Sequence, residues 1–319
     1  MKTTGIGNSH AKIILIGEHS VVYGQPAIAL PLPEVKLTVT LTRQATLPQT
    51  IDSRYFSGPV DQLTKSMAGI KKLINVLINE FSGHTDGWNM KITSMLPAER
   101  GMGSSAASAI AIVRAFFDFY DRQLERKTLL KYADIEEQIT HRSPSGLDAA
   151  TVSANQPIWF TKGHNGKHLE MNVTGSLVIA DSGVKGQTSE AIEAVKQQLI
   201  IDHEAALLQI ETLGRLTKKT RELLQSGAIT ELGLTLSQAQ EQLKLLNVSQ
   251  PNVDNLIEVA LQNHALGAKL TGGGRGGCII ALVANAQAAQ QLSAQLVDAG
   301  ATATWIQPLL GGNYAKDVR

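Results

Sequence analysis

A single cysteine, Cys278, stands in 319 residues, so neither an intrachain disulfide nor a cysteine-built zinc site can form. Aromatic residues make up only 4% of the chain, too few for the stacked rings that hold single-stranded bases. Neither sign of charge dominates: 29 basic residues face 28 acidic ones, and no run of Lys and Arg reaches the length of a nucleic-acid or anionic-membrane patch. Apolar runs are short. Ile13–Ile16, for one, is far below the ~20 residues of a membrane span. Met1–Gly5 does not open an apolar stretch of the signal-peptide kind. These absences predict a soluble, cytoplasmic protein in a reducing compartment, with no nucleic-acid or membrane partner.

What is present suits a packed core: 43% hydrophobic and 18% charged residues. At ~150 residues per domain the length predicts two domains, and a change of character near Gly175 divides them as 1–174 and 175–319. Residues 12–17, 21–24 and 35–41 read as β structure, and 88–95 alternates as a strand. Residues 61–81 carry one helical apolar stripe (Met67, Ile70, Leu73, Ile74, Leu77, Ile78, Phe81). Further helices are predicted from about 104 to 120 and 129 to 140. A hairpin of 158–160 with 169–173 turns at Gly163–Gly166. Beyond residue 175 the reading is a strand at 177–180, helices from 188 to about 268, and then strand, helix and strand over 278–283, 287–299 and 302–306.

Glycine clusters mark the candidate sites. Gly101-Met102-Gly103-Ser104-Ser105-Ala106 matches G-x-G-x-x-A between a strand and a helix. The dinucleotide reading fails, because the acidic residue it needs should end the next strand, whereas Asp118 and Asp121 lie on the first helix. A strand–glycine–helix bend still offers free N–H groups and a positive helix end to an anion, with Ser104 and Ser105 able to cap the helix or bind phosphate or Mg²⁺. A plain capped helix fits equally well. Gly272–Gly277 holds five glycines in six positions and reads as a helix end turning into a strand. No H-R-D, D-F-G or G-K-[ST] accompanies either loop, which excludes protein kinases and P-loop NTPases. Lys12, Glu18 and His19 each fit a strand edge or a turn. Glu137 and Asp148 flank the turn 142–147, Asp148 reading equally as base, metal ligand or helix cap. The histidines show no metal-site spacing.

The order of these signals carries more than any one of them. Lys12–Gly24 (K-I-I-L-I-G-E-H-S-V-V-Y-G), Pro97–Ala107 and Lys269–Cys278 resemble the three motifs of the GHMP small-molecule kinases. G-E-H-x-V-V-Y-G with Pro26–Ala29, Ile179–Thr188 and Pro144–Asp148 are similar to the mevalonate kinases among them. The resemblance implies an α+β fold of two domains, a ribosomal-protein-S5-domain-2-like N-terminal one and a ferredoxin-like α/β plait at the C-terminus, with the active site in the cleft between them. It implies ATP phosphates on Pro97, Arg100, Gly101, Met102, Gly103, Ser104, Ser105, Ala106 and Ala107, and Mg²⁺ on Ser105 and Glu137. Asp148 and Lys12 are the implied catalytic pair, and Glu18, His19 and Thr188 the implied mevalonate pocket. Gly272–Gly277 would buttress the phosphate loop. A homodimer is one assembly left open, since the sequence does not fix the oligomeric state.

Two departures from the family pattern stand out: Arg142 replaces a usual glycine, and Glu99-Arg100 stands where small residues are common. Both are expected to face solvent. The rival functions are another enzyme of the fold (phosphomevalonate kinase, homoserine kinase, galactokinase or diphosphomevalonate decarboxylase) and a non-catalytic sensor. Glu18-His19 continuing into Val-Val-Tyr-Gly argues against galactokinase, and the joint presence of Lys12, Glu137 and Asp148 argues against the sensor.

Overall fold

The first strand is longer than its apolar run. β1 (Thr4–Ile16) begins eight residues before Lys12, and its early inward positions are Gly5 and Gly7, which no count of apolar side chains registers. Those glycines are needed for close approach: a Cβ on Gly7 would overlap the Ala111 carbonyl. The computed structural model describes residues 1–45, 48–140, 146–164 and 166–311, so the expectations for Arg142 and for Pro144-Ser145 lie outside the described residues. The chain forms two compact units. Unit 1 is Met1–Ala11, Leu32–Ala98 and Gly103–Ser153; unit 2 is Lys12–Pro31, Glu99–Met102 and the chain from Ala154 onward.

Within unit 1, β2 (Ala27–Gln44) contributes its second half, Leu37–Gln44. After it come β3 (Thr50–Asp52), β4 (Ser57–Pro59), α1 (Ala68–Glu80) and β5 (Gly87–Ser94). β5 pairs antiparallel with β2 and parallel with β3, whose other edge takes β4. Residues 60–62 and 65–67 are short 3-10 turns, so the helix predicted from 61 begins only at Ala68; its stripe from Ile70 to Ile78 is buried as expected. α2 (Ser104–Phe119) is buried nearly all round, which its alanines allow. α3 (Arg126–Thr140) and α4 (Leu147–Val152) complete the unit. Trp88 and Phe116 meet edge to face at 5.5 Å, and Phe81 stacks on Tyr120 at 4.5 Å.

Within unit 2, Ala27–Ala29 of β2 pairs with β6 (Ile158–Phe160), which pairs with β7 (Lys167–His168). The second hairpin strand is therefore 167–168; Leu169, Met171 and Val173 are buried but lie outside it. Val21–Tyr23, predicted as strand, belongs to a single 3-10 turn closed by Gly24 at φ 82°.

The rest of the unit runs β8 (Thr174–Asp181), α5 (Thr188–Ile201), α6 (His203–Ser226), α7 (Ile229–Leu245), α8 (Pro251–Gln262), β9 (Gly267–Thr271), β10 (Cys278–Val283), α9 (Ala286–Asp298) and β11 (Ala303–Leu310). The four strands form one antiparallel sheet in the order β11-β8-β10-β9. Strand order 4-1-3-2 in a β-α-β-β-α-β chain is the ferredoxin-like plait, as the resemblance implied. No described helix is long and apolar enough to cross a membrane.

One expectation is overturned here with consequence. Gly272–Gly277 does not follow a helix: it is the loop of the β9–β10 hairpin, with Thr271 paired to Cys278. The strand before it was hidden because Gly-Ala-Lys-Leu-Thr is short and interrupted by a lysine.

Candidate active site

In unit 2 the apolar run of β1 carries Lys12 inward. Lys12 is 2% exposed, and its backbone N–H donates to the Met102 carbonyl at 3.0 Å, joining the strand to the glycine bend. Two residues on, Ile14 exchanges both backbone bonds with the Thr271 hydroxyl, at 3.0 and 2.9 Å. β1 is thereby held against both glycine loops of this unit.

The chain then leaves β1 through Gly17 into Glu18 and His19. His19 has φ 59°, a left-handed conformation that a non-glycine residue holds only where its surroundings compel it. Its Nε2 lies 2.9 Å from the Gly273 carbonyl. A carbonyl only accepts, so Nε2 carries the proton and Nδ1 is left as an acceptor. Burial and the nearby Lys269 hold the His19 pKa down to about 4, so the ring is neutral at pH 7.

Glu18 and Lys269 form an ion pair with both side chains fully buried, and Lys269 also donates to its neighbour's carbonyl, Leu270, at 2.6 Å. Burial pushes the Glu18 carboxyl up and the Lys269 ammonium down; their mutual attraction opposes both. Glu18 Oε2 is buried and accepts no hydrogen bond among the described residues.

The glycine hairpin loop serves as packing surface. A Cβ on Gly272 would come within 2.8 Å of Gly101, and one on Gly273 would overlap the Thr188 side chain. The loop therefore backs both the Gly101 bend and the start of α5. Arg100 does not face solvent as expected. Its Nε lies 2.9 Å from the Asp181 carboxylate, and Nη2 donates to the Gly183 carbonyl at 3.2 Å. Asp181 ends β8 and is itself buried, which draws the guanidinium inward. Glu99 is exposed as expected and pairs with Lys185.

In unit 1 the start of α2 is capped by no side chain. Gly103, at φ 74°, occupies the cap, and Ser104 and Ser105 are the first helical residues rather than the expected caps. A helix start without a side-chain cap keeps its N–H groups for an anion. The Ser105 hydroxyl bonds to Glu136, which the Thr140 hydroxyl also reaches. Glu137, one residue on, points elsewhere: its Oε1 accepts from the Gly146 N–H at 3.2 Å, fixing the start of α4, on whose first turn Asp148 lies. Glu137 Oε2 is buried and accepts no bond among the described residues. Burial first, then the Asp148 charge, push the Glu137 carboxyl up to about 7.

The GHMP kinase N-terminal domain model matches residues 68–155 and the GHMP kinase C-terminal model matches residues 220–302, together more than half of the chain. This chain belongs to the GHMP kinases. It is, with that family, an ATP-dependent small-molecule kinase.

Relatives of this GHMP kinase include the mevalonate kinase of Pyrococcus abyssi, 30% identical over 88% of this chain and 89% of that protein. A crystal structure of mevalonate kinase from methicillin-resistant Staphylococcus aureus is 31% identical, with a TM-score of 0.75 over 97% of this chain and 100% of the other. The fold is also that of the Leishmania major enzyme solved with R-mevalonate, with a TM-score of 0.84 at 23% identity over 98% and 97% of the two chains.

The expected site residues of this GHMP kinase group by unit. Lys12, Met102, Gly101, Glu18, His19 and Thr188 are drawn together in unit 2 by the two glycine loops. Ser105 stands with Glu136, and Glu137 with Asp148, in unit 1. Sequence reasoning missed three partners: Lys269, Asp181 and Glu136. Lys269 left no usable signal, because the lysine itself hides the short strand that carries it.

Proposed function

We propose that this kinase transfers the γ-phosphoryl group of ATP to the 5-hydroxyl of mevalonate, giving 5-phosphomevalonate and ADP. The observation that carries the reading is Lys12, a buried cation whose own N–H is tied to the glycine bend at Met102. Phosphoryl transfer asks for positioning and for positive potential where charge gathers, more than for covalent chemistry. The Gly101–Ala107 segment, with Pro97 and Arg100 beside it, receives the phosphates, the α2 N–H groups binding and orienting them. Lys12 stabilises charge on the transferring group, and Asp148 takes the proton of the acceptor hydroxyl. Glu18, His19 and Thr188 line the mevalonate pocket, a role supported by two acceptors, Glu18 Oε2 and His19 Nδ1.

Mg²⁺ fits the unit 1 residues: Glu137 Oε2 is a buried carboxylate oxygen that accepts no hydrogen bond among the described residues, and Mg²⁺ needs only one or two carboxylates beside phosphate oxygens. Ser105 and Glu137 would hold it, and when bound it neutralises phosphate charge. The near-zero net charge and single cysteine support a cytoplasmic protein. A coupled ADP-release assay over mevalonate, phosphomevalonate, homoserine and galactose tests the assignment. Mevalonate is expected to give the highest kcat/KM; turnover no better than with the others would sink it.

Glu137 adds a pH signature. Its native pKa of about 7 exceeds the ordinary value of 4.5, so the folded protein binds the extra proton between those limits. Its contribution to stability is therefore present at low pH and falls as pH rises through that window. Binding a cation requires the ionised carboxylate, so apparent Mg²⁺ affinity should rise as pH passes 7. Glu137→Gln should flatten the stability profile and weaken Mg²⁺ binding at every pH. Titration of Mg²⁺ by calorimetry from pH 6 to 8 checks this; a pH-independent affinity in the unsubstituted protein would refute it.

A further inference from the structure

A cationic groove in unit 1, with a cavity volume of about 540 Å³, has no part in the chemistry above. Arg114 of α2 donates from Nη1 to the Asn8 carbonyl and from Nη2 to the Ser153 carbonyl, at 2.5 and 3.4 Å. Arg126, at the start of α3, donates from Nη1 to the same Ser153 carbonyl and from Nη2 to the Ala150 carbonyl, both at 3.2 Å. Two guanidinium groups thus converge on one oxygen, and Arg122 joins them in the wall.

Like charges brought together repel. After burial, the Arg126 charge is the second cause holding the Arg114 pKa below its usual value. Among the described residues no carboxylate forms an ion pair with Arg114, Arg122 or Arg126. Asp118, the acid in the wall, is already engaged by the Lys2 ammonium at 2.6 Å and the Ile6 N–H at 2.8 Å. The carbonyls of Ala150 and Ser153 close the end of α4, and a helix end supplies only about half an elementary charge. That leaves net positive charge in the groove and guanidinium N–H groups beyond those used on the carbonyls. Phe117, Leu124 and Leu129 form an apolar wall beside them.

We propose that this groove binds a small organic oxyanion, its carboxylate or phosphate head on the Arg114–Arg126 fork and its short apolar body against Phe117, Leu124 and Leu129. Guanidinium pairs suit such heads because planar N–H donors match the oxygens two at a time. The groove is separate from the phosphate-binding end of α2: Arg114 follows Ser105 by nine residues, about 14 Å along the helix axis at ~1.5 Å per residue. The proposal stands whether or not the mevalonate assignment does.

Ligand-observed NMR on the full chain tests it, with n-butyl phosphate, n-butyrate and inorganic phosphate as probes and 1-butanol as the uncharged control. Saturable binding of butyl phosphate or butyrate is expected, stronger than that of inorganic phosphate, with none for 1-butanol. Whichever butyl anion binds more tightly identifies the head group. Arg114→Gln and Arg126→Gln should each weaken the constant by about tenfold or more, the loss of one charge-assisted pair. Arg122→Gln, at a side chain that is exposed and makes no hydrogen bond among the described residues, should weaken it as well and covers the case in which the first two fail to fold. Ser105→Ala should leave it unchanged. Absence of saturable binding, equal affinity in the arginine variants, or loss in Ser105→Ala would each overturn the proposal.

Discussion

Asp148→Asn is expected to fold, to bind ATP with an unaltered constant, and to turn over about 10²- to 10⁴-fold more slowly, the range ascribed to a positioned general base. The acceptor in the proposed reaction is an alcohol, too weak an acid to lose its proton unaided at neutral pH. A carboxylate amide differs from a carboxylate in charge and basicity but hardly in shape, so the substitution leaves the first turn of α4 its packing: Leu147, Ala149 and Ala150 beside it stay buried, and the Glu137–Gly146 bond stays available. A second readout separates chemistry from structure. The Asp148 charge is the second cause, after burial, of the raised Glu137 pKa, so its removal should bring the Glu137 titration below about 7. Lowered kcat together with that displaced titration would establish Asp148 as an ionised group of the reacting site. Unimpaired turnover would make it a structural residue and remove the base from the mechanism. Lys12→Met completes the comparison: if the lysine activates the hydroxyl while Asp148 only orients it, the lysine variant shows the larger loss and Asp148→Asn keeps a substantial fraction of kcat.

What was legible from sequence follows from the range of the interactions involved. α2 and the apolar stripe of α1 were readable because helical periodicity is local: each residue's burial follows from neighbours three and four positions away. The first half of β1 was not, because its inward residues, Gly5 and Gly7, make room for α2 instead of filling space. Strand β9 was lost for the opposite reason: Lys269 is a charged residue at an inward position, tolerated only because Glu18 meets it from 251 positions away. Arg100 misled in the same manner. A charged residue beside a glycine bend reads as solvated until Asp181, 81 positions on, is placed next to it. Glu136 was invisible as the partner of the Ser105 hydroxyl because the motifs named only its neighbour: adjacent positions on α3 differ by about 100° in direction, which sends Glu136 to Ser105 and Glu137 to the Gly146 N–H. The family motifs found the segments. The partners that hold those segments come from pairs distant along the chain.

Lys269→Met is expected to be the most destabilising of the substitutions considered, by about 3–5 kcal/mol, because it strands the Glu18 carboxylate in a fully buried site. Methionine fills nearly the volume of the lysine stem, so the cost comes from charge and hydrogen bonding: Glu18 loses its ammonium partner, and the Leu270 carbonyl loses a donor. Two further outcomes fix the cause. With its cation gone, burial acts on Glu18 against only a backbone hydrogen bond and the Lys12 charge and raises its pKa further, so the folded variant holds a proton that the unfolded chain releases. Its stability should then fall as pH rises above the ordinary carboxylate value, a slope the unsubstituted protein shows less steeply. The double variant Glu18→Gln/Lys269→Met places a neutral amide against a thioether and should recover most of the lost stability, with strongly non-additive energies in the cycle. Mevalonate KM should stay poor in that double variant even where the fold returns, since Glu18 and the adjoining His19 belong to the proposed acceptor pocket. Urea unfolding of the parent, both single variants and the double variant at two pH values measures the stabilities, and a steady-state ADP-release assay measures KM. A single variant within about 1 kcal/mol of the parent, or additive single effects, would show that the pair does not govern the packing of β9 against the Glu18–His19 turn.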